Sequence, residues 1–241
     1  MCLFDLIIII FLLMFAVVGF KNGFFKQTVK TVGVILIFVF AFYFKDYVAD
    51  FLSYTLPFIK FKGSIAGLSS LNIILYQLIA FLVLLGLFSI AFQILLKISG
   101  LIEKALNFTI ILGIPSKLLG MVVGLIEGYV ILFIILFVLN MTSFNSQLIS
   151  ESSLRPKILT SSPVLSNVVK DATNTVTEIY DFVDVYVKDK DSDKFNYNAI
   201  DTMLKNKIIT PEYVEKLVKK RKIEVKNIDN LIEKYKNKGD E

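Results

Sequence analysis

No charged residue occurs between Lys62 and Lys97, a run of 34 positions. A bilayer's hydrocarbon core, about 30 Å thick, takes roughly 20 helical residues to cross. The run therefore holds one span, at about 72–96, preceded by GSIAGLSSL, whose small residues suit a turn. Residues 3–20, LFDLIIIIFLLMFAVVGF, make an earlier span with Asp5 at the interface. A signal peptide carries its positive charges before the apolar run and a small-residue cleavage site after it. Here Lys21, Lys26 and Lys30 follow the run and no such site appears, so the span is expected to be retained, N-terminus outside. A second span at 27–44 has an uncharged core of 14 residues, TVGVILIFVFAFYF, and extends if Lys30 reaches back to the interface. The fourth covers 118–140.

The connections divide by charge. Residues 45–62 hold Pro57 and the aromatics Tyr47, Phe51, Tyr54, Phe58 and Phe61, which suit a loop at headgroup level. Residues 97–112 place Ile98, Leu101, Ile102, Ala105 and Leu106 on one helical face and Lys97, Lys104 and Asn107 on another. That period predicts an interfacial amphipathic helix, ended by Gly113 and Pro115. The short connections at 21–30 and 97–117 contain six lysines (Lys21, Lys26, Lys30, Lys97, Lys104 and Lys117) against one Glu. An excess of Lys on one side marks the cytoplasm, so both termini are expected outside.

Composition sharpens the division. Residues 1–141 carry 9 Lys and 5 acids, leaving 17 Lys/Arg and 16 acids of the chain's 26 and 21 for residues 142–241. The fold class expected is all-α: a four-span membrane domain at 1–141 followed by a polar helical tail. A linker is expected at 142–163 and an amphipathic helix at 164–187, where Leu165, Val168, Ala172, Val176, Ile179 and Val183 recur at helical spacing. The charged tail, 188–241, is expected to break at KDKDSDKFNYN and form short helices at about 198–206, 211–222 and 226–237. The second of these starts well, with Thr210 as N-cap and Pro211 at the first position.

Much chemistry is excluded. With no histidine, Ser-His and Cys-His nucleophile pairs and HExxH zinc sites are absent. Cys2 is the sole cysteine and allows neither an internal disulfide nor a cysteine metal cluster. The KKRK run at 219–222 lies between Glu215 and Glu224 and reads as a solvated helix face rather than a nucleic-acid footprint. No enzyme, cofactor, metal or nucleic-acid partner is expected. An intramembrane hydrolase would need a base or metal site that the spans lack.

The stretch KLLGMVVGLIEGYV, 117–130, carries the candidate site. Gly120, Gly124 and Gly128 lie four residues apart on one face, and in lipid this spacing lets another helix approach closely. That face is a helix-packing surface, either within the bundle or between copies of the chain. Glu127 beside it is costly in a span and should face a protein-lined interior, or else pair with Lys117 or Lys104 near the surface. Gln77, Gln93 and Asp5 are further candidates for a polar pathway or ion pair.

An Asp-led first span, the basic Gly-Phe turn GFKNGFFKQTVK, an amphipathic connection into IPSKLLGMVVGLIEGYVILFIILFVL and the later SESSL…SSPVL together resemble the CvpA family, the colicin V production proteins. The similarity covers about residues 1–165. It implies a multi-pass bacterial inner-membrane protein linked to toxin production, export or envelope transport. The family often has a basic residue where Glu127 stands, so no charge-specific role carries over to it. The alternative is a membrane anchor whose C-terminal tail binds a protein partner.

Overall fold

The computed structural model describes residues 3–99, 101–141, 151–162 and 165–237, with side chains at 99, 101–112, 141, 161 and 168 left aside. Its helices are α1 (Leu3–Asn22), α2 (Phe24–Thr55), α3 (Leu71–Ser99), α4 (Leu101–Met141), α5 (Leu154–Ser161), α6 (Leu165–Asp189), α7 (Ser192–Lys205), α8 (Pro211–Lys219) and α9 (Ile228–Lys236). No strand occurs among the described residues. Four helices are long and apolar enough to cross a membrane: Leu3–Asn22, Phe24–Thr55, Leu71–Ile98 and Gly113–Asn140. The chain divides into two compact units, Met1–Tyr43 with Leu82–Val168, and Phe44–Phe81 with Val169–Glu241.

In the first unit, α1 ends at Asn22 and α2 begins at Phe24; Gly23 between them takes a positive φ of 74°. Glycine reaches that backbone region without a Cβ clash. Partners along the helices give their directions. Phe38 meets Phe133 and Phe42 meets Phe137, so α2 and α4 run parallel. Phe88 meets Phe40, and the Phe92 ring lies on Gly33, so α3 runs antiparallel to α2. The order across this unit is α3, α2, α4, α1.

Several elements differ from the sequence expectation. The second helix does not stop at residue 44 but continues to Thr55 through the supposed 45–62 loop. Lys45, Asp46 and Asp50 do not break a helix; Pro57 does, because it drives the residue before it out of helical geometry. The amphipathic helix expected at 97–112 is divided instead: Lys97 belongs to α3, and Leu101 opens α4. Gly113, at φ 57° and ψ −132°, kinks α4 before its spanning part, with Pro115 just beyond.

In the second unit the tail helices form one core with the ends of α2 and α3. Phe195, Ala199, Ile200, Met203, Val214, Leu217 and Leu231 are buried, as are Ala49, Leu68, Ile73 and Phe81. Tyr213 donates to Ser53 Oγ at 2.9 Å, and Lys220 and Lys222 donate to Tyr54 O and Leu56 O at 3.3 and 2.6 Å. Two ammonium groups thus satisfy carbonyls that the end of α2 leaves open. Asn196 of α7 does the converse at the start of α3, accepting from Ser70 N and donating to Gly67 O. The break expected within KDKDSDKFNYN falls at Lys190 and Asp191, where Lys190 takes a φ of 57°. From Ser192 the stretch is already the first turn of α7, whose start Asp191 caps by accepting from Lys194 N.

Candidate functional site

The glycine face of α4 is filled by α1. A Cβ added at Gly120 would stand 2.6 Å from Gly23 C, one at Gly124 2.9 Å from Gly19 Cα, and one at Gly128 2.6 Å from Phe15 Cβ. A Cβ at Gly19 would fall on the Gly120 carbonyl and 2.8 Å from Gly124 Cα. Residues 15 and 19 of α1 and Gly23 just after it thus meet 128, 124 and 120 of α4 in turn, an antiparallel seam in which backbone meets backbone at Gly120 and Gly124. Each glycine weakens its own helix by about 1 kcal/mol relative to Ala. Close approach offsets this, since packing has to replace the hydrophobic drive that lipid removes. A second copy using the same face would have to displace α1.

Beside the seam lies a polar cluster. Gln27, fully buried on α2, donates through Nε2 to Glu127 Oε2 and accepts from Asn22 Nδ2 at 2.8 Å. Glu127 is 8% exposed, and Lys30 interacts with it electrostatically. Ser116 Oγ accepts from Phe24 N at 3.1 Å, and Thr31 Oγ1 donates to Val123 O at 3.5 Å. Gln27 is the hydrogen-bond partner here. Lys117 is exposed, and the Lys104 side chain lies outside the described residues.

Asp5 makes the second cluster. Its side chain is 1% exposed and accepts from Ser152 Oγ at 2.6 Å, Ser153 Oγ at 3.2 Å and Leu154 N at 3.3 Å. Ser152 Oγ in turn accepts from Arg155 N at 3.1 Å, and Arg155 Nη2 donates to Asn140 Oδ1 at 3.0 Å. The Asp5 carboxylate and the Ser152 hydroxyl together supply the cap of α5. This is why part of the supposed 142–163 linker is helical; residues 142–150 lie outside the described residues.

A family model for the colicin V production protein matches residues 4–166, which contain the four spans, the seam and both clusters. The chain belongs to the colicin V production protein family. No curated protein and no solved structure matches it.

The remaining polar candidates of this family member fall elsewhere. Gln77 is buried in the second unit, where it accepts from Lys45 Nζ at 2.8 Å; the same ammonium meets Asp46 at 2.6 Å. Gln93 is exposed on α3 and shares no polar contact with Gln77 or Glu127. Lys21 and Lys97 are exposed, Lys26 and Lys30 half-buried. Sequence reading missed Gln27, Asn22, Thr31 and Ser152. For Gln27 and Thr31 a signal existed: two polar residues one helical turn apart at the start of an apolar span. Among the described residues, no three His, Cys, Asp or Glu side chains stand where they could hold a metal ion. The arrangement offers a hydrogen-bonded carboxylate and amide inside an apolar helix bundle, able to bind or pass a proton or a polar group.

Proposed function

We propose that this colicin V production family member is a non-enzymatic, multi-pass protein of the bacterial inner membrane. Its spans support the production or export of a colicin V-like toxin, or a related envelope transport step, and both termini face away from the cytoplasm. The observation that carries the reading is the Gln27–Glu127 pair. A carboxylate inside a span costs on the order of 2.5–3.5 kcal/mol by insertion measurements, and such groups mark polar pathways or specific pairings. Apolar side chains would pack the same position at lower cost.

A second reading has the tail as the working part, binding a protein partner while the spans anchor it. It is favoured by the ordered, buried core in which α7, α8 and α9 pack with the ends of α2 and α3. Toxin release from a strain that depends on this protein distinguishes the two. Glu127→Leu, at wild-type membrane abundance, is expected to lower toxin in the medium toward the level of a strain lacking the protein. Removal of residues 190–241 should leave release intact. Normal release from Glu127→Leu with release lost on truncation would overturn the first reading in favour of the second.

A further inference from the structure

Between the end of α2 and the start of α3, the second unit opens a groove of about 570 Å³ whose lining includes Lys60, Arg221 and Lys222 and no carboxylate. Elsewhere in this unit cations occur both without an ion pair among the described residues, as at Lys188, Lys205 and Lys207, and with one. Lys194, Lys219, Lys226, Lys234 and Lys236 each pair with an Asp or Glu. Lys60 and Arg221 are exposed at the groove, and neither has an acidic partner among the described residues. Phe58 and Phe61 give the same groove an apolar wall, with the Lys222 ammonium 5.6 Å from the Phe58 ring centroid.

The groove is rigidly built. Ile59 N donates to Asn72 Oδ1 at 2.7 Å, Asn72 Nδ2 returns to Ile59 O at 3.1 Å and Ser69 O at 3.2 Å, and Tyr76 donates to Pro57 O at 2.9 Å. On the other wall, Arg221 N donates to Val218 O and Lys222 N to Leu217 O, at 2.8 and 2.9 Å. These are the paired bonds of a Schellman ending to α8. They fix the backbone from which both cationic side chains leave.

We propose that this groove binds the phosphate-bearing headgroup of an anionic membrane phospholipid. Depth supports a lipid over a soluble anion. The 32 residues of α2 make a helix about 48 Å long. Tilted by about 20°, as spans commonly are, it projects about 45 Å, the thickness of a bilayer with its headgroups. With Lys26 and Lys30 at one surface, the connection that follows Thr55 emerges among the headgroups of the other. Cations there meet phosphate, and the Phe58 and Phe61 wall meets the apolar glycerol-ester region beneath it.

The test uses the full-length protein in lipid nanodiscs containing a photoreactive phosphatidylglycerol, with labelled peptides mapped by mass spectrometry. Labelling is expected at residues 57–61 and 221–222, well above that from a photoreactive phosphatidylcholine. One surface cation contributes a factor of about five to attraction by anionic lipid. Lys60→Gln should therefore reduce labelling about five-fold, and Lys60→Gln with Arg221→Gln about 25-fold. Both residues are exposed, so the fold survives either change, and monodispersity on gel filtration checks this. Equal labelling by the two lipids, or unchanged labelling of the variants, overturns the proposal. So does full displacement of the probe by inorganic phosphate or by polyglutamate, which would make the groove a site for a free anion or an acidic peptide.

Discussion

The seam between α1 and α4 makes a quantitative demand on Gly124. A methyl at that position would sit 2.9 Å from Gly19 Cα and 3.1 Å from Gly19 N. Unbonded carbons rest at about 3.5–4.0 Å, so α1 would have to withdraw by about 0.6–1.1 Å. The struck atoms are backbone and no rotamer change relieves them. Overpacking of this kind costs about 1–3 kcal/mol, while exchanging Gly for Ala in a helix returns about 1 kcal/mol. Gly86 on α3 provides the reference, because a Cβ there meets nothing within 4 Å. Gly86→Ala should show the helix gain alone. In detergent-solubilised full-length protein, unfolding followed by circular dichroism should then rank Gly124→Ala below Gly86→Ala by about 1–3 kcal/mol, the isolated cost of the contact. Equal stabilities for the two variants would refute the idea that backbone approach at this face limits the side chain.

Asp5→Ala removes the acceptor of three hydrogen bonds at the start of α5, from Ser152 Oγ, Ser153 Oγ and Leu154 N. Losing a bond to a charged group costs about 1.5–3 kcal/mol, so amide exchange at Leu154, Arg155 and Lys157 should accelerate, and unchanged protection would count against the capping role. Glu215, held by Lys219 and Lys236, has its carboxyl lowered from 4.5 to about 2. Its contribution to the tail is fully present above pH 4.5 and is lost as pH falls toward 2. Glu215→Gln should flatten the acid limb of the thermal-unfolding curve; an unaltered limb would show that these exposed pairs contribute nothing.

The four spans are legible because lipid imposes a length that apolar runs either meet or miss, and the glycine spacing marks the closely packed face of α4 before its partner is known. Asp5 stands out as an acid at the head of an apolar run, but its partners lie across 147 to 149 positions and no local pattern points to them. The same distance hides α5, whose cap is supplied from α1. At 45–55, charge in the sequence suggests a loop, yet Gln77 accepts from Lys45 across 32 positions and the helix continues. The tail's short helices look too small to be stable one by one; their core appears only when their apolar faces are brought together.

The α1–α4 seam also dictates an order of events during synthesis. Gly19 and Gly120 are separated by about a hundred residues, and a ribosome adding about 5–20 residues per second takes roughly 5–20 s to make them. For that interval α1 waits in the membrane without its seat, its bare backbone ridge covered by lipid or by the insertion machinery. The bundle closes from its first helix to its last, when α4 arrives.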